Sequence, residues 1–327
     1  MSEAVASVSR MLSSMCLASG PGFRLDAVTC VADHRGWSAP EVSDRYHVVL
    51  VRRGVFRRMT RGRAAVSDPT MAYVGVPGEE ERFAHPAGGD VCTSLSLTPG
   101  LWRTLTAAMP LHDGTGRHTR SATPTAKATA LTAPAFYVDA RLDLAHRRLL
   151  RAARDGDIAF ALPETMTLLL RAALTPPGSR DAARTSNTGR IVDTAREAFA
   201  ADIQETATLT SLAAHLGVSP YQLSRAFTRE LGVSLTHYRN RVRVGRALDR
   251  LEEGAPSLAE LAADLGFADQ AHLTRTIRHH VGHTPHSLAP PPHDPPLPEN
   301  LRPTAPARPV GVSRPRQLAG AVVASAV

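Results

Sequence analysis

Two stretches decide the reading of this chain: Leu212–Gly232, LAAHLGVSPYQLSRAFTRELG, and Leu261–Gly282, LAADLGFADQAHLTRTIRHHVG. Their first halves align at an offset of 49 residues; after the turn the second carries one extra residue and the offset becomes 50. Each opens with apolar residues at helical spacing, Leu212, Ala213 and Leu216 in one and Leu261, Ala262 and Leu265 in the other. Gly217 or Gly266 follows, the residue type that closes a helix in the left-handed conformation without a Cβ penalty. A second helix then begins, with Leu223 and Phe227, or Leu273 and Ile277, on one face at i, i+4. The layout is helix, short glycine turn, helix. A single copy would be weak evidence, since many helical proteins hold such a unit. Two copies with matching positions are far more specific.

A third helix, Leu235 to Leu251, joins them. Leu235, Tyr238, Val242, Leu248 and Leu251 form its apolar stripe, and Arg239, Arg241, Arg243, Arg246 and Arg250 are read as lying mostly on its surface. Ser257 and Glu260 have the spacing of a capping box at the start of the second unit. Residues 190 to 288 hold eleven Arg and eleven Asp or Glu, so this region is formally neutral. Its cations are concentrated, however: Arg225 to Arg250 contains seven Arg against Glu230 and Asp249, a strip suited to phosphates.

These residues resemble the AraC/XylS family of bacterial transcription activators. The resemblance covers Arg190 to Leu288 and is strongest in the second unit, through Gly266-Phe267, Asp269-Gln270, Arg275, Gly282 and Thr284-Pro285. Ile277 stands where the family usually has an aromatic residue, and Leu288-Ala289 where it often has Tyr-Arg. The resemblance implies that each second helix enters a major groove of double-stranded DNA. Base-facing positions then fall on Tyr221, Gln222, Ser224 and Arg225, and on Gln270, Ala271, His272, Thr274 and Arg275. The chemistry agrees: Arg forks to guanine, Gln pairs with adenine, and Ala meets a thymine methyl. Arg229 and Arg278 lie a turn further on and are assigned to phosphates.

The rest of the 327-residue chain is less specific. Tyr46–Val51 and Val55–Thr60 read as strands of one hairpin; Met71–Val76 stops at Pro77-Gly78; Ser94–Leu97 alternates. Short strands between Gly and Pro turns suggest a small β-barrel or sandwich. Residues 139 to 174 have helical spacing. The stretches RYHVVLVRRGVFRRMTRGR and HPAGGDVCTSLSL loosely resemble the cupin-like sensor domain found ahead of this DNA-binding module, which implies a small-molecule effector or a homodimer, without assigning contact residues. The expected fold class is α+β: an N-terminal cupin-like β-barrel with a helical hairpin, then an all-α domain with two helix-turn-helix units. The expected division is 1–174 for the sensor, 175–189 for a linker, 190–288 for the DNA-binding domain and 289–327 for a Pro-rich disordered tail.

The net charge of +8 rests almost wholly on Arg, since Lys127 is the sole lysine, and permits a nucleic-acid partner without requiring one. Cys16, Cys30 and Cys92 form no CxxC pair, which argues against a disulfide framework and against zinc. A metal cupin would need a His-x-His pair; His34, His47, the Glu79–Glu81 run and His85 do not supply it, so neither a metal nor a cofactor is expected, and no enzyme. No signal segment or membrane span is read, and the location expected is the cytoplasm. The function expected is a sequence-specific transcription regulator, an activator that would meet RNA polymerase. The rival readings are a sequence-tolerant architectural DNA binder and a cupin-type metalloenzyme.

Overall fold

Among the described residues of the N-terminal half, β-branched and aromatic runs form ten strands that fall into two sheets. They are β1 (Leu12–Gly20), β2 (Phe23–Cys30), β3 (Glu41–Val42), β4 (Tyr46–Arg53), β5 (Phe56–Thr60), β6 (Arg63–Ser67), β7 (Met71–Gly75), β8 (Glu80–Ala84), β9 (Asp90–Leu97) and β10 (Ala135–Tyr137). One sheet has the order β1-β2-β9-β4-β7-β10 and the other β3-β8-β5-β6. The computed structural model describes residues 12–107, 135–156, 158–174, 187–254 and 257–288. Most of the expected linker and all of the expected tail lie outside them.

The expected α+β class holds. Among the described residues the two sheets do not close into one hydrogen-bonded barrel; they face each other as a sandwich. The hairpin expected of Tyr46–Val51 and Val55–Thr60 is not formed. β4 pairs with β7 and β9, whereas β5 pairs with β6 and β8. A register shift between Val51 and Arg53, followed by Gly54 at φ +86°, carries the chain from one sheet to the other. Two adjacent runs of strand formers thus belong to facing layers, a choice that local propensity cannot make.

β4 is buried on both faces, which explains its unbroken apolar run. Val48 and Leu50 pack towards the helices with Leu95, Leu97 and Trp102; Val49 and Val51 point the other way, to Phe56, Tyr73 and Cys92 between the sheets. The helices on the outer face are α1 (Pro99–Ala107), α2 (Ala140–Asp155) and α3 (Ile158–Leu174). The Asp139 carboxylate caps α2 by accepting from the Arg141 and Leu142 amides, and Gly156 ends it at φ +82°.

The helical region begins with α4 (Asn187–Ala200) and a short 3-10 turn. The first unit is α5 (Leu209–His215) and α6 (Pro220–Leu231); α7 (Leu235–Glu252) is the connector; the second unit is α8 (Leu258–Asp264) and α9 (Gln270–Val281), followed by α10 (Pro285–Leu288). The starts of the helices in the two units and of the connector have local causes. Thr208, Ser219, Ser234, Ser257 and Asp269 are N-caps, and Gly232 and Gly282 close α6 and α9 at φ +71° and +81°. At Ser257 the hydroxyl accepts from the Ala259 and Glu260 amides, half of the expected box. The units have separate cores. Leu212, Ala213, Leu223, Phe227 and Tyr238 centre one, and Leu261, Ala262, Phe267, Leu273 and Ile277 the other.

Candidate nucleic-acid interface

α6 and α9 repeat each other in three dimensions as in sequence. From Leu223 to Leu231 and from Leu273 to Val281 the succession of buried and exposed positions is identical. Leu223, Ala226, Phe227, Glu230 and Leu231 are buried in α6, and Leu273, Thr276, Ile277, His280 and Val281 in α9. The opposite side of each helix is therefore free. Tyr221 (67 % exposed), Gln222, Arg225 and Arg229 are exposed on α6 with Ser224 half-buried; Gln270, Ala271, Arg275 and Arg278 are exposed on α9 with His272 and Thr274 half-buried. All eleven residues singled out in the sequence lie off the two cores.

Several are already engaged. The Gln222 side-chain oxygen accepts from the Ser219 amide while the Ser219 hydroxyl accepts from the Gln222 amide, a closed capping box. His272 occupies the same place in α9: its Nδ1 accepts from the Ala268 amide at 3.4 Å, the Asp269 carboxylate accepts from its amide at 2.6 Å, and its ring meets Phe267 edge-on. For either side chain to reach a base it would give up a cap interaction of about 1 kcal/mol. Arg225 donates to the Tyr221 hydroxyl at 3.0 Å and lies over its ring, which holds the guanidinium fork on the exposed side of α6. Arg275, its counterpart, has no partner among the described residues and is the freer of the two.

The basic strip is thinner than its sequence suggests. Arg241 is 1 % exposed and Arg243 7 % exposed. Arg241 donates to the carbonyls of Val138 and Pro69 and pairs with Asp143 at 3.2 Å. Arg243 donates to the Leu265 carbonyl at 2.7 Å and stacks on Phe267, 3.6 Å from the ring centroid; burial first, and Arg239 second, push its pKa down to about 10. Arg246 is held by Asp202, and Arg250 by Asp264 at 3.5 Å. Among the described residues, Arg225, Arg229 and Arg239 are the ones of the seven Arg from Arg225 to Arg250 that have neither an acidic partner nor burial. The reading of α7 as one-faced fails because two units pack on it from different sides, with α2 against it as well. Arg241 follows Tyr238 by three residues and precedes Val244 by three, so the spacing carried the signal; residue type argued against it.

α7 and α4 also anchor this region to the sandwich. Arg196 of α4 is 1 % exposed and pairs with Asp68, 2 % exposed, at 2.8 Å, while donating to the Val66 carbonyl. Burial opposes the Arg196 charge, but Asp68, with Tyr238 and Asp193, outweighs it and raises the pKa. Tyr238 donates to Asp68 at 3.4 Å, and Arg57 forks onto Glu197 at 2.7 and 2.9 Å. On α2, Arg147 pairs with Asp249 at 2.8 Å and Glu252 at 3.3 Å. Between these contacts lies a cavity of about 420 Å³, lined by Arg52, Asp68, His146, Arg154, Tyr238 and Arg246 among others.

Residues 212–289 match a family model described as a helix-turn-helix domain. The chain is 36 % identical over 69 residues to YbfI, an uncharacterised HTH-type transcriptional regulator of Bacillus subtilis, covering 21 % of this chain and 25 % of that protein. It is 30 % identical over 77 residues to the arabinose operon regulatory protein of Salmonella typhimurium, covering 24 % of this chain and 27 % of that one. An uncharacterised HTH-type regulator of Staphylococcus aureus is 32 % identical over 81 residues, only 11 % of its own length. The chain thus spans about a tenth to a quarter of these relatives. Among solved structures, an AraC-type regulator from Chromobacterium violaceum aligns over 32 % of this chain and 92 % of its own at 27 % identity and a TM-score of 0.29. ToxT from Vibrio cholerae O395 aligns over 82 % of this chain and 97 % of its own at 9 % identity and a TM-score of 0.33. The C-terminal region is therefore a tandem helix-turn-helix domain. The likeness to the arabinose operon regulatory protein is a resemblance over about a quarter of that protein.

Proposed function

We propose that this chain is a sequence-specific transcription regulator of the AraC/XylS type, an activator that reads double-stranded DNA with α6 and α9. The observation that carries the reading is the repeated burial pattern of these two helices, within a region that matches a helix-turn-helix family. It leaves two equivalent polar faces free on helices of different sequence. One monomer would then occupy an asymmetric site, its two major-groove segments about one helical turn, roughly 34 Å, apart. Arg225 and Arg275 are the base-reading pair, and Arg229 and Arg278 grip phosphates. Tyr221, Gln222, Ser224, Gln270, Ala271, His272 and Thr274 complete the reading faces.

The N-terminal part, 1–174, serves as an effector-binding or dimerisation domain, 175–189 as its linker and 190–288 as the DNA-binding domain. Its buried ion pairs to α4 and α7 support a mechanical connection: what shifts the sandwich also shifts the helices that carry the reading units. The protein is not an enzyme in this reading, and it works in the cytoplasm with RNA polymerase as its downstream partner. Among the described residues no helix is long and apolar enough to cross a membrane.

The test is a competition assay on a site selected from random DNA. Arg225→Ala and Arg275→Ala are expected to cost on the order of 1–3 kcal/mol on the selected site and to relax preference at one base position each. Arg229→Ala and Arg278→Ala should weaken all sequences alike and flatten the salt dependence. Equal losses on selected and random DNA for Arg225→Ala and Arg275→Ala would mean that these residues hold the backbone, and would overturn the base-reading assignment.

A further inference from the structure

The interior of the sandwich holds two groups of polar side chains, and they differ in how well they are satisfied. At one, Arg58 donates to Glu81 at 2.9 Å, His47 meets the other Glu81 oxygen at 2.9 Å, and Arg58 also reaches the Val74 carbonyl. That group is complete. At the other, Cys30, His85 and Asp90 are all buried, and each offers a ligand atom within 4.8 Å of the other two. His85 Nδ1 and Asp90 Oδ2 have no hydrogen-bond partner. Asp90 Oδ2 lies 3.0 Å from His85 Nε2, yet the angles do not make a hydrogen bond. Two lone-pair donors that approach so closely without bonding each other suit a third atom between them.

We propose that Cys30, His85 and Asp90 form a binding site for a divalent transition-metal ion of the zinc type. Thiolate, imidazole and carboxylate make a mixed soft and hard donor set that suits zinc, and its two negative charges would be neutralised by the ion. Donor atoms of a tetrahedral zinc site stand roughly 3.3–3.8 Å apart at ordinary bond lengths, so the His85–Asp90 pair would open slightly from 3.0 Å while the remaining separations, all within 4.8 Å, need only a modest adjustment. Three protein ligands leave a fourth position for water or a further ligand.

The backbone holds these donors in place. Cys30 ends β2, Asp90 begins β9, and the two are directly paired across the strands. His85 follows β8, and its amide donates to the His34 carbonyl at 2.8 Å. The loop after His85 is pressed onto the strands: a Cβ on Gly89 would lie 2.3 Å from the Cys30 carbonyl oxygen, and one on Gly54 2.6 Å from the Gly89 carbonyl oxygen. Cys92 donates its thiol to Asp90 Oδ1 at 3.0 Å, which orients the carboxylate and leaves Oδ2 for the ion. Ala87 of the same loop, with Gly54, lines the cavity that faces the helical region.

The experiment is a Co²⁺ titration of the full chain after removal of metal by a chelator. The expected result is one equivalent bound, with the strong visible absorption of tetrahedral cobalt and a sulfur-to-cobalt charge-transfer band, both abolished by Zn²⁺. Cys30→Ser should remove the charge-transfer band, and His85→Gln and Asp90→Asn should weaken binding at least tenfold, with circular dichroism confirming that each is folded. Cys16→Ser, which alters an exposed thiol, should leave the titration unchanged. Co²⁺ should raise the melting temperature of the unsubstituted chain and not of Cys30→Ser. Absence of the charge-transfer band from the folded, unsubstituted chain would overturn the proposal, and so would a band that survives Cys30→Ser. Neither result bears on DNA reading, so this inference and the proposed function fail independently.

Discussion

The two helix-turn-helix units share a fold and differ in how they are attached. On the side of the first unit, α4 and α7 meet the sandwich through charge: Arg196 on Asp68, Tyr238 beside them, and Arg57 on Glu197, with Met71 of β7 and Ala135 and Tyr137 of β10 packed on the unit's core. The second unit's core continues directly into Ala140 and Leu144 of α2, an apolar junction flanked by the ion pairs that α2 makes with α7. A buried ion pair has directional demands and tolerates little misalignment, because desolvated charges lose their partner all at once. An apolar contact is non-directional and degrades gradually. The first unit is thereby held in one orientation relative to the sandwich, while the second is held by area.

That contrast can be broken most decisively at Asp68. Asp68→Ala leaves the Arg196 guanidinium buried without its carboxylate and should cost about 3–5 kcal/mol in chemical denaturation. Leu144→Ala, the matching lesion at the second junction, should cost about 2–3 kcal/mol, since one partly relaxing cavity is all that it creates. If Leu144→Ala proves the more damaging, the apolar junction is the more demanding one and the contrast is wrong.

Acid sharpens the comparison. His146 on α2 and His280 on α9 both belong to the second unit and its junction. Burial, chiefly, pushes each down to about 4; at His280 the neighbouring His237, His279 and Arg241 add to it, and at His146 Asp143 opposes it in part. The unfolded chain therefore takes up protons near pH 6.5 that the folded chain refuses. Stability is full above that pH and should decline as pH falls from about 6.5 towards 4. His280→Gln should make the decline shallower by on the order of 1–2 kcal/mol, after discounting for solvent screening. Denaturation curves at pH 7 and pH 5 would decide it: an unchanged slope in His280→Gln would show that this ring does not carry the effect.

The smallest expected difference is at the caps. Ser219→Ala and Asp269→Ala each remove one side-chain acceptor at the start of a reading helix and should cost about 1 kcal/mol apiece. Near-equality in thermal melts is the expectation, because both caps are exposed and local. A clear inequality would mean that the two reading helices, alike in burial, differ in their intrinsic stability.

The two helical cores, and the placing of the eleven candidate residues off them, were legible because helical periodicity is local: the side chain at i+4 faces the same way wherever the helix sits. The choice of those eleven as contacts came from the family resemblance. The one N-cap read in the sequence, Ser257, forms by half, its hydroxyl accepting from the Ala259 and Glu260 amides. What the sequence misled on was long-range. Val55–Thr60 follows Tyr46–Arg53 at once and still joins a different sheet, since only the facing layers decide which partner a strand takes. Arg241 and Arg243 look like surface cations until the carbonyls of Val138, Pro69 and Leu265 arrive from distant segments to receive them. Cys30 and His85 stand 55 residues apart, beyond any ligand spacing that a motif search would accept, and β2–β9 pairing is what brings Asp90 opposite Cys30.

The sequence by itself determined the tandem repeat, its helix boundaries and the sides of α6 and α9 that stay out of the core, because each depends on side chains within a turn or two of one another. Tertiary structure alone decided the sandwich topology, the burial of Arg196 and Arg241, and the meeting of Cys30, His85 and Asp90. The physical reason is that desolvating a charge or aligning donor atoms depends on groups remote in the chain, which local spacing does not encode.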